Sequence, residues 1–303
     1  MTKTDMGVVR SGSDKSGGGN IKPPPGGAAK PGGPASSGGD AARPPRYFYD
    51  ITADGTHQGK TTIATRLRAH CEDAGLPVTM IRIESAHVAR GLREGDVLVP
   101  VEAIGQAGKV VGGIAGVMGP ALAAVERMIE QGGVVVMDWG GGLGDYRLEL
   151  LATTELGQSL AQEGIPAWSI VVATGIETSM GQALRVLEMT AQIAPELQRA
   201  VVLNRLHGDF GAASSTPQGR KEAALLSHRG LGATLNLPLA SGQSMAALAP
   251  LGLDHRAMLE LTPEEVAKRL GMSSFLARAL LAHFAAWYAK SAEEIAKVAP
   301  FRG

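Results

Sequence analysis

The chain has 303 residues, 44% of them hydrophobic, enough for one large α/β domain with a tail or for two small domains. Lys+Arg and Asp+Glu both number 29, so the formal charge is +0 and the broad positive field that draws a protein to nucleic acid is absent, leaving only a local basic patch for that purpose. A single cysteine, Cys71, excludes an internal disulfide framework and suits a reducing, cytoplasmic setting.

Residues 1–46 are polar, rich in Gly, Pro and Ser, and lack an apolar h-region, so disorder is expected there and a secretory signal is not. Tyr47 to Ile51 reads as a first strand, aromatic and partly β-branched. A loop over 52–59 follows, then a helix from about Lys60 to Ala74 with Ile63, Leu67, Cys71 and Ala74 on one side. Gly75 and Pro77 end it.

Val78 to Ile83 is a second strand ending at Glu84; residues 85–113 hold charges and glycines. The stretch Val110 to Val125 is uncharged but contains four glycines and Pro120, and it falls short of the roughly 20 residues of a spanning helix. No transmembrane segment is expected. A helix is predicted over Pro120 to Glu130, and Gly132-Gly133 releases the strongly apolar strand Val134 to Met137, which ends on Asp138.

Leu148 to Glu163 reads as a helix, Ser169 to Ala173 as a strand, Gly181 to Ile193 as a helix, and Ala200 to Leu203 as a strand ending on Asn204. Ala233 to Leu237 is the last predicted strand, closed by Pro238. Two helices, about Thr262–Leu270 and Ser273–Val298, finish the chain. Continuous apolar strands separated by helices predict one α/β domain over 47–303, a doubly wound, mostly parallel sheet with C-terminal helices. Ligands of such sheets bind beyond the carboxyl ends of the strands. Gly59-Lys60-Thr61, Glu84, Asp138 and Asn204 all fall there.

Residues 54–62 read as a phosphate loop. The pattern is Gly, four residues, then Gly-Lys-Ser/Thr, and Gly59-Lys60-Thr61 fits it between a strand and a helix. Asp54 replaces the first glycine, and Gly55 lies one place later. Gly55, Thr56, His57, Gln58, Gly59, Lys60, Thr61 and Thr62 are the candidate contacts, with backbone N–H groups and the helix dipole facing phosphate oxygens. Lys60 would sit between the β- and γ-phosphates, and Thr61 would give its hydroxyl to Mg²⁺.

Asp138 fits a Walker-B acid holding Mg²⁺, with capping of the next turn as the plain alternative. The loop Trp139-Gly140-Gly141-Gly142-Leu143-Gly144 after it has the freedom to move with a γ-phosphate. Glu84 either orients water or helps hold the metal, or is an ordinary strand-end charge. Asn204 either meets a base edge or forms a turn. His57 reads as a partly exposed loop residue, and Asp209, Asp254 and His255 as surface charges. Phe275, Leu276, Leu280, Leu281, Phe284, Trp287 and Tyr288 form an apolar helix face for packing on the sheet or for a partner.

The order of these features resembles the ParA/MinD-like branch of P-loop ATPases, which includes plasmid partition and conjugation-associated ATPases. Val78–Glu84, Val134–Asp138 with its glycines, Val201-Val202-Leu203-Asn204-Arg205 and Leu235-Asn236-Leu237-Pro238 are similar to that family's second strand, Walker-B strand with switch II, adenine-side strand, and proline-ended strand beside the base. The resemblance spans roughly 47–240. It implies ATP with Mg²⁺, an ATP-dependent homodimer, and DNA or a DNA-bound adaptor as partner. Two departures stand out. The signature lysine, five positions before Lys60, is Gly55 here, and Glu84-Ser85-Ala86 stands where the family has Asp-Pro-Gln. The expected activity is therefore a slow ATPase switch; an ATP-dependent synthetase of the dethiobiotin or cobyric acid type and a non-catalytic nucleotide-binding scaffold are the alternatives.

Overall fold

A computed structural model describes residues 44–86 and 91–301. The predicted disorder of 1–46 lies, for residues 1–43, outside the described residues. Arg46 belongs to the first strand, and its guanidinium donates to the Glu163 carbonyl at 2.8 Å.

Strand β1 (Arg46–Thr52) leads into α1 (Lys60–Asp73), and β2 covers Val78–Glu84. The stretch of charges and glycines over 85–113 contains a four-residue strand, β3 (Val97–Pro100), and a short helix, α2 (Val101–Ile104), and α3 (Gly113–Val117) starts at its end. Next come α4 (Gly119–Gln131) and β4 (Gly133–Trp139). The helix expected over 148–163 starts earlier and breaks at Glu155, whose φ is 48°, giving α5 (Gly144–Thr154) and α6 (Leu156–Gln162). Strand β5 (Ala167–Thr174), α7 (Glu177–Ile193) and β6 (Gln198–Asn204) follow as predicted, each somewhat longer. Helix α8 (Pro217–Leu226), capped by Thr216, was not predicted. Strand β7 (Leu231–Leu237) precedes α9 (Ser244–Leu248), α10 (His255–Leu259), α11 (Pro263–Leu270) and α12 (Ser274–Ile295).

The seven strands among the described residues form one sheet in the order β3-β2-β4-β1-β5-β6-β7, and every pairing in it is parallel. Alternate residues of the central strands point to opposite faces. Phe48, Val135 and Met137 pack under the helices from α3 to α6. Tyr49, Ile51, Val134 and Val136 pack against Ile63, Leu67 and Cys71 of α1 and against Ile295 and Val298 near the chain's end. Both faces are covered, so continuous apolar strands are what this sheet requires. Among the described residues no helix is long and apolar enough to cross a membrane.

The C-terminal helices correct two expectations. Only the end of α12 reaches the sheet core. Leu280, Phe284 and Trp287 instead build a separate cluster with Leu248, Met258 and Val266, while Phe275 is 82% exposed and Leu276 half exposed. His255 is no surface charge. It is buried against Phe284 and Trp287, with ring centroids 5.6 and 5.3 Å away. Asp254 caps α10 by accepting from the N–H groups of Arg256 and Ala257, and it pairs with Arg93 at 2.7 Å. The sequence shows the long helices of this layer but not α9 and α10, which are too short to show a period.

Candidate functional site

Parallel order alone brings the carboxyl ends of β1, β2 and β4 side by side, and the polar residues that follow them converge. The loop after β1 closes on Gly59, whose φ of 92° allows α1 to start at Lys60. A side chain at that position would collide with the Asn204 amide, so glycine is required twice over. Lys60 is buried, and its ammonium donates to the Gly55 carbonyl at 2.8 Å. Burial lowers its pKa, opposed by the nearby charges of Asp138, Glu84 and Asp54.

Thr61 donates its hydroxyl to Asp138 Oδ2 at 2.8 Å across 77 residues of sequence. Asp138 is 3% exposed. Burial pushes its pKa up to about 6, against the lowering effects of the Thr61 hydrogen bond, Arg82 and Lys60. Arg82 Nε lies 3.6 Å from the same Oδ2, and another guanidinium nitrogen lies 3.3 Å from Glu84 Oε2. Thr61 and Arg82 both address Oδ2. Asp138 Oδ1, also buried, has no hydrogen-bond partner among the described residues.

That arrangement fits Mg²⁺, a hard cation that takes oxygen donors. Thr61 Oγ1 and the Asp138 carboxylate would be the protein's share. No group of three or more His, Cys, Asp or Glu side chains suited to a metal occurs among the described residues, so phosphate oxygens and water would have to complete the sphere. Lys60 and the N–H groups at the start of α1 would take the phosphates themselves.

The glycine loop after β4 rests on the end of β2 and on the loop after β1. Gly140 donates its N–H to the Ile83 carbonyl at 2.8 Å, and Gly142 donates to the Asp54 carbonyl at 3.2 Å. Gly141 lies against Thr56 so closely that a Cβ there would overlap the threonine. Trp139 is not part of this loop as expected. It is the last residue of β4, buried, and its indole N–H donates to Asp50 Oδ1 at 2.8 Å.

The remaining predicted residues divide. Thr56 and His57 are exposed, His57 with φ 56°, and the His57 carbonyl lies 3.2 Å from His207 Nε2. Gln58 is buried, and Thr62 half-buried. Asn204 donates its amide to the Gln58 carbonyl at 2.9 Å and accepts from the Leu206 N–H at 3.2 Å, so it braces the loop directly. Pro238, half-buried after β7, is brought to the same sheet edge but not to the loop. Strand β7 lies three places from β1, about 14 Å at the usual strand spacing.

Reading the sequence missed Arg82 and the buried Asp50–Arg147 ion pair. The signal was present in both cases as a charge inside an otherwise apolar strand, Arg82 in Val78–Glu84 and Asp50 in Arg46–Thr52. Such a charge must find a partner when buried.

No protein-family model and no curated protein matches the chain. Among solved structures it is similar to the ParA family ATPase from Chlorobium tepidum TLS, at 11% identity over 80% of this chain and 98% of that one, TM-score 0.41. MinD cell division protein from Aquifex aeolicus is similar at 14% identity over 79% and 95%, TM-score 0.42. A plasmid partition protein from Borrelia burgdorferi is similar at 10% identity over 63% and 90%, TM-score 0.42. Likeness at this level decides nothing about ligand, activity or assembly.

Proposed function

We propose that the chain binds ATP with Mg²⁺ and works as a slow ATPase switch of the ParA/MinD type, in plasmid partition, mobilisation or intracellular positioning. The observation that carries this reading is the hydrogen bond from Thr61 to Asp138, which sets a phosphate-loop hydroxyl and a strand-end carboxylate at one point beside Lys60. Lys60 exchanges the Gly55 carbonyl for the β- and γ-phosphate oxygens, and the N–H groups from Gly59 to Thr62 hold the phosphate chain. Asn204 keeps one N–H and further acceptor capacity beyond its two bonds, which suits it to a base edge. Magnesium, when bound, neutralises charge developing on the transferred phosphoryl group.

Glu84 is half-buried at the mouth of the site and takes the role of orienting a water. The glycine loop 140–142, already touching Asp54 and Thr56, is the element that reads the γ-phosphate. Gly55 contributes no side chain where the family's lysine would reach across a dimer, and slow turnover follows.

Exposed Ile176, Leu206 and Leu239 follow β5, β6 and β7 at the carboxyl edge of the sheet, as the phosphate loop follows β1. Apolar side chains around a nucleotide edge favour a second copy of the chain closing over it when ATP is bound, with DNA or a DNA-bound adaptor as the further partner.

The test is titration of a fluorescent ATP analogue with Mg²⁺ against the wild type and Lys60→Ala, alongside light scattering. Micromolar binding by the wild type, a loss of tenfold or more in the variant, and an ATP-dependent rise in mass are expected. Equal affinity in the two proteins would sink the proposal.

A further inference from the structure

We propose that Arg82 is the chain's own counter-cation at the magnesium site: it holds the Asp138 carboxylate in place and opposes Mg²⁺ there by charge. The inference rests on the nucleotide-binding reading above and adds a residue to it that no phosphate-loop pattern contains.

Its position follows from the sheet. Strand β2 pairs with β4, and Arg82 is the register partner of Asp138, so the two side chains leave the sheet on the same face about one strand spacing apart. Met80, Ile81 and Ile83 around it in β2 are buried and apolar. A guanidinium with a side chain only 9% exposed carries a large desolvation cost unless carboxylates offset it. Two are in place, Asp138 with Oδ2 3.6 Å from Nε and Glu84 with Oε2 3.3 Å from a terminal nitrogen.

Among the described residues, Lys60 from α1, the Thr61 hydroxyl and Asp54 from the loop after β1 face this cluster. With Arg82 present, two cations stand among three carboxylates, counted among the described residues, where the phosphates must arrive. Without it, Lys60 is the cation left against Asp54, Glu84 and Asp138 among the described residues. The extra negative charge repels a metal-free nucleoside triphosphate and attracts a divalent cation. Arg82 therefore sets how far nucleotide binding depends on magnesium. It is a positioning residue acting through Asp138, and merely structural damage would weaken binding with and without metal alike.

The experiment measures affinity for a fluorescent ATP analogue in EDTA and across a Mg²⁺ titration, for the wild type, Arg82→Gln and Arg82→Lys. Arg82→Gln is expected to weaken binding in EDTA about fivefold or more and to lower the half-maximal Mg²⁺ concentration about threefold. Arg82→Lys, which keeps the charge, is expected within twofold of the wild type on both. Equal weakening with and without Mg²⁺, or no change in either, overturns the proposal. Arg82→Met carries the same expectation and replaces Arg82→Gln if circular dichroism shows that variant unfolded. A wild type that binds the analogue under neither condition overturns the nucleotide reading itself, and the role of Arg82 with it; a wild type that binds while Arg82→Gln keeps its metal dependence overturns this inference alone.

Discussion

Asp50 of β1 and Arg147 of α5, 97 residues apart, form an ion pair inside the protein in which each side chain is 1% exposed. The pair is fully served. Trp139 donates to the other carboxylate oxygen, and the guanidinium also donates to Thr190 Oγ1 at 3.0 Å and Ser169 Oγ at 2.7 Å. It ties β1, which precedes the Gly59-Lys60-Thr61 loop, to α5, which follows the glycine loop, so the two loops that meet there have a common anchor beneath them.

Breaking that anchor on one side leaves a buried charge. Arg147→Met is expected to lower stability by about 3 to 5 kcal/mol in urea unfolding. Adding Asp50→Leu removes the stranded carboxylate and is expected to recover at least half of the loss. Strict additivity of the two losses would contradict the network.

The approach of Gly141 to Thr56 leaves no space for a methyl group. Gly141→Ala therefore has to lift the glycine loop off Thr56. Because both segments lie at the sheet edge, global stability is expected to change by less than about 1 kcal/mol. Affinity for an ATP analogue is expected to fall several-fold. A crystal structure of the variant with the loop unmoved would refute the packing argument.

His255 is kept neutral. Burial between Phe284 and Trp287 lowers its pKa to about 4, with Arg66 adding to the shift and Asp254 opposing it. The folded value lies below the unfolded value of about 6.5, so unfolding takes up a proton as the pH falls. The associated stability is present above pH 6.5 and is lost on acidification toward pH 4. Relative to His255→Leu, the wild type is expected to lose about 3 kcal/mol across that window. Parallel stability curves for the two proteins would rule this out.

Two phenylalanines of α12 separate packing from exposure. Phe284 is fully buried in the C-terminal cluster, and Phe284→Ala is expected to cost about 3 to 5 kcal/mol. Phe275→Ala, at a position 82% exposed, is expected to change stability by less than about 0.5 kcal/mol. Thermal melts of both variants decide it.

Much of the fold was legible because local pattern and burial coincide. The apolar run after Pro77 became β2 with the expected ends, and the stripe Ile63, Leu67, Cys71 became the buried side of α1. Strand β3 was not legible. Four residues at the sheet edge, only Val99 of them buried, show too little period to stand out from a loop. Helices α9 and α10 have five residues each, too few to hold alone, and they pack into the cluster around Phe284, with the Asp254 cap as the one local support of α10.

The sequence by itself determined that a strand runs into Gly59-Lys60-Thr61 and a helix, and that apolar strands end on Glu84, Asp138 and Asn204. Those are properties of neighbours along the chain: turn chemistry, periodicity and the run lengths of apolar residues. The tertiary structure alone decided which ends meet. The order β3-β2-β4-β1-β5-β6-β7 sets β2 beside β4 and β4 beside β1, and so joins Arg82 to Asp138 and Asp138 to Thr61. It also enclosed Asp50 with Arg147 and turned Asn204 onto the loop. These contacts link distant segments through the pairing of strands. No local period encodes that pairing, because it is selected by the burial of two whole faces of the sheet at once.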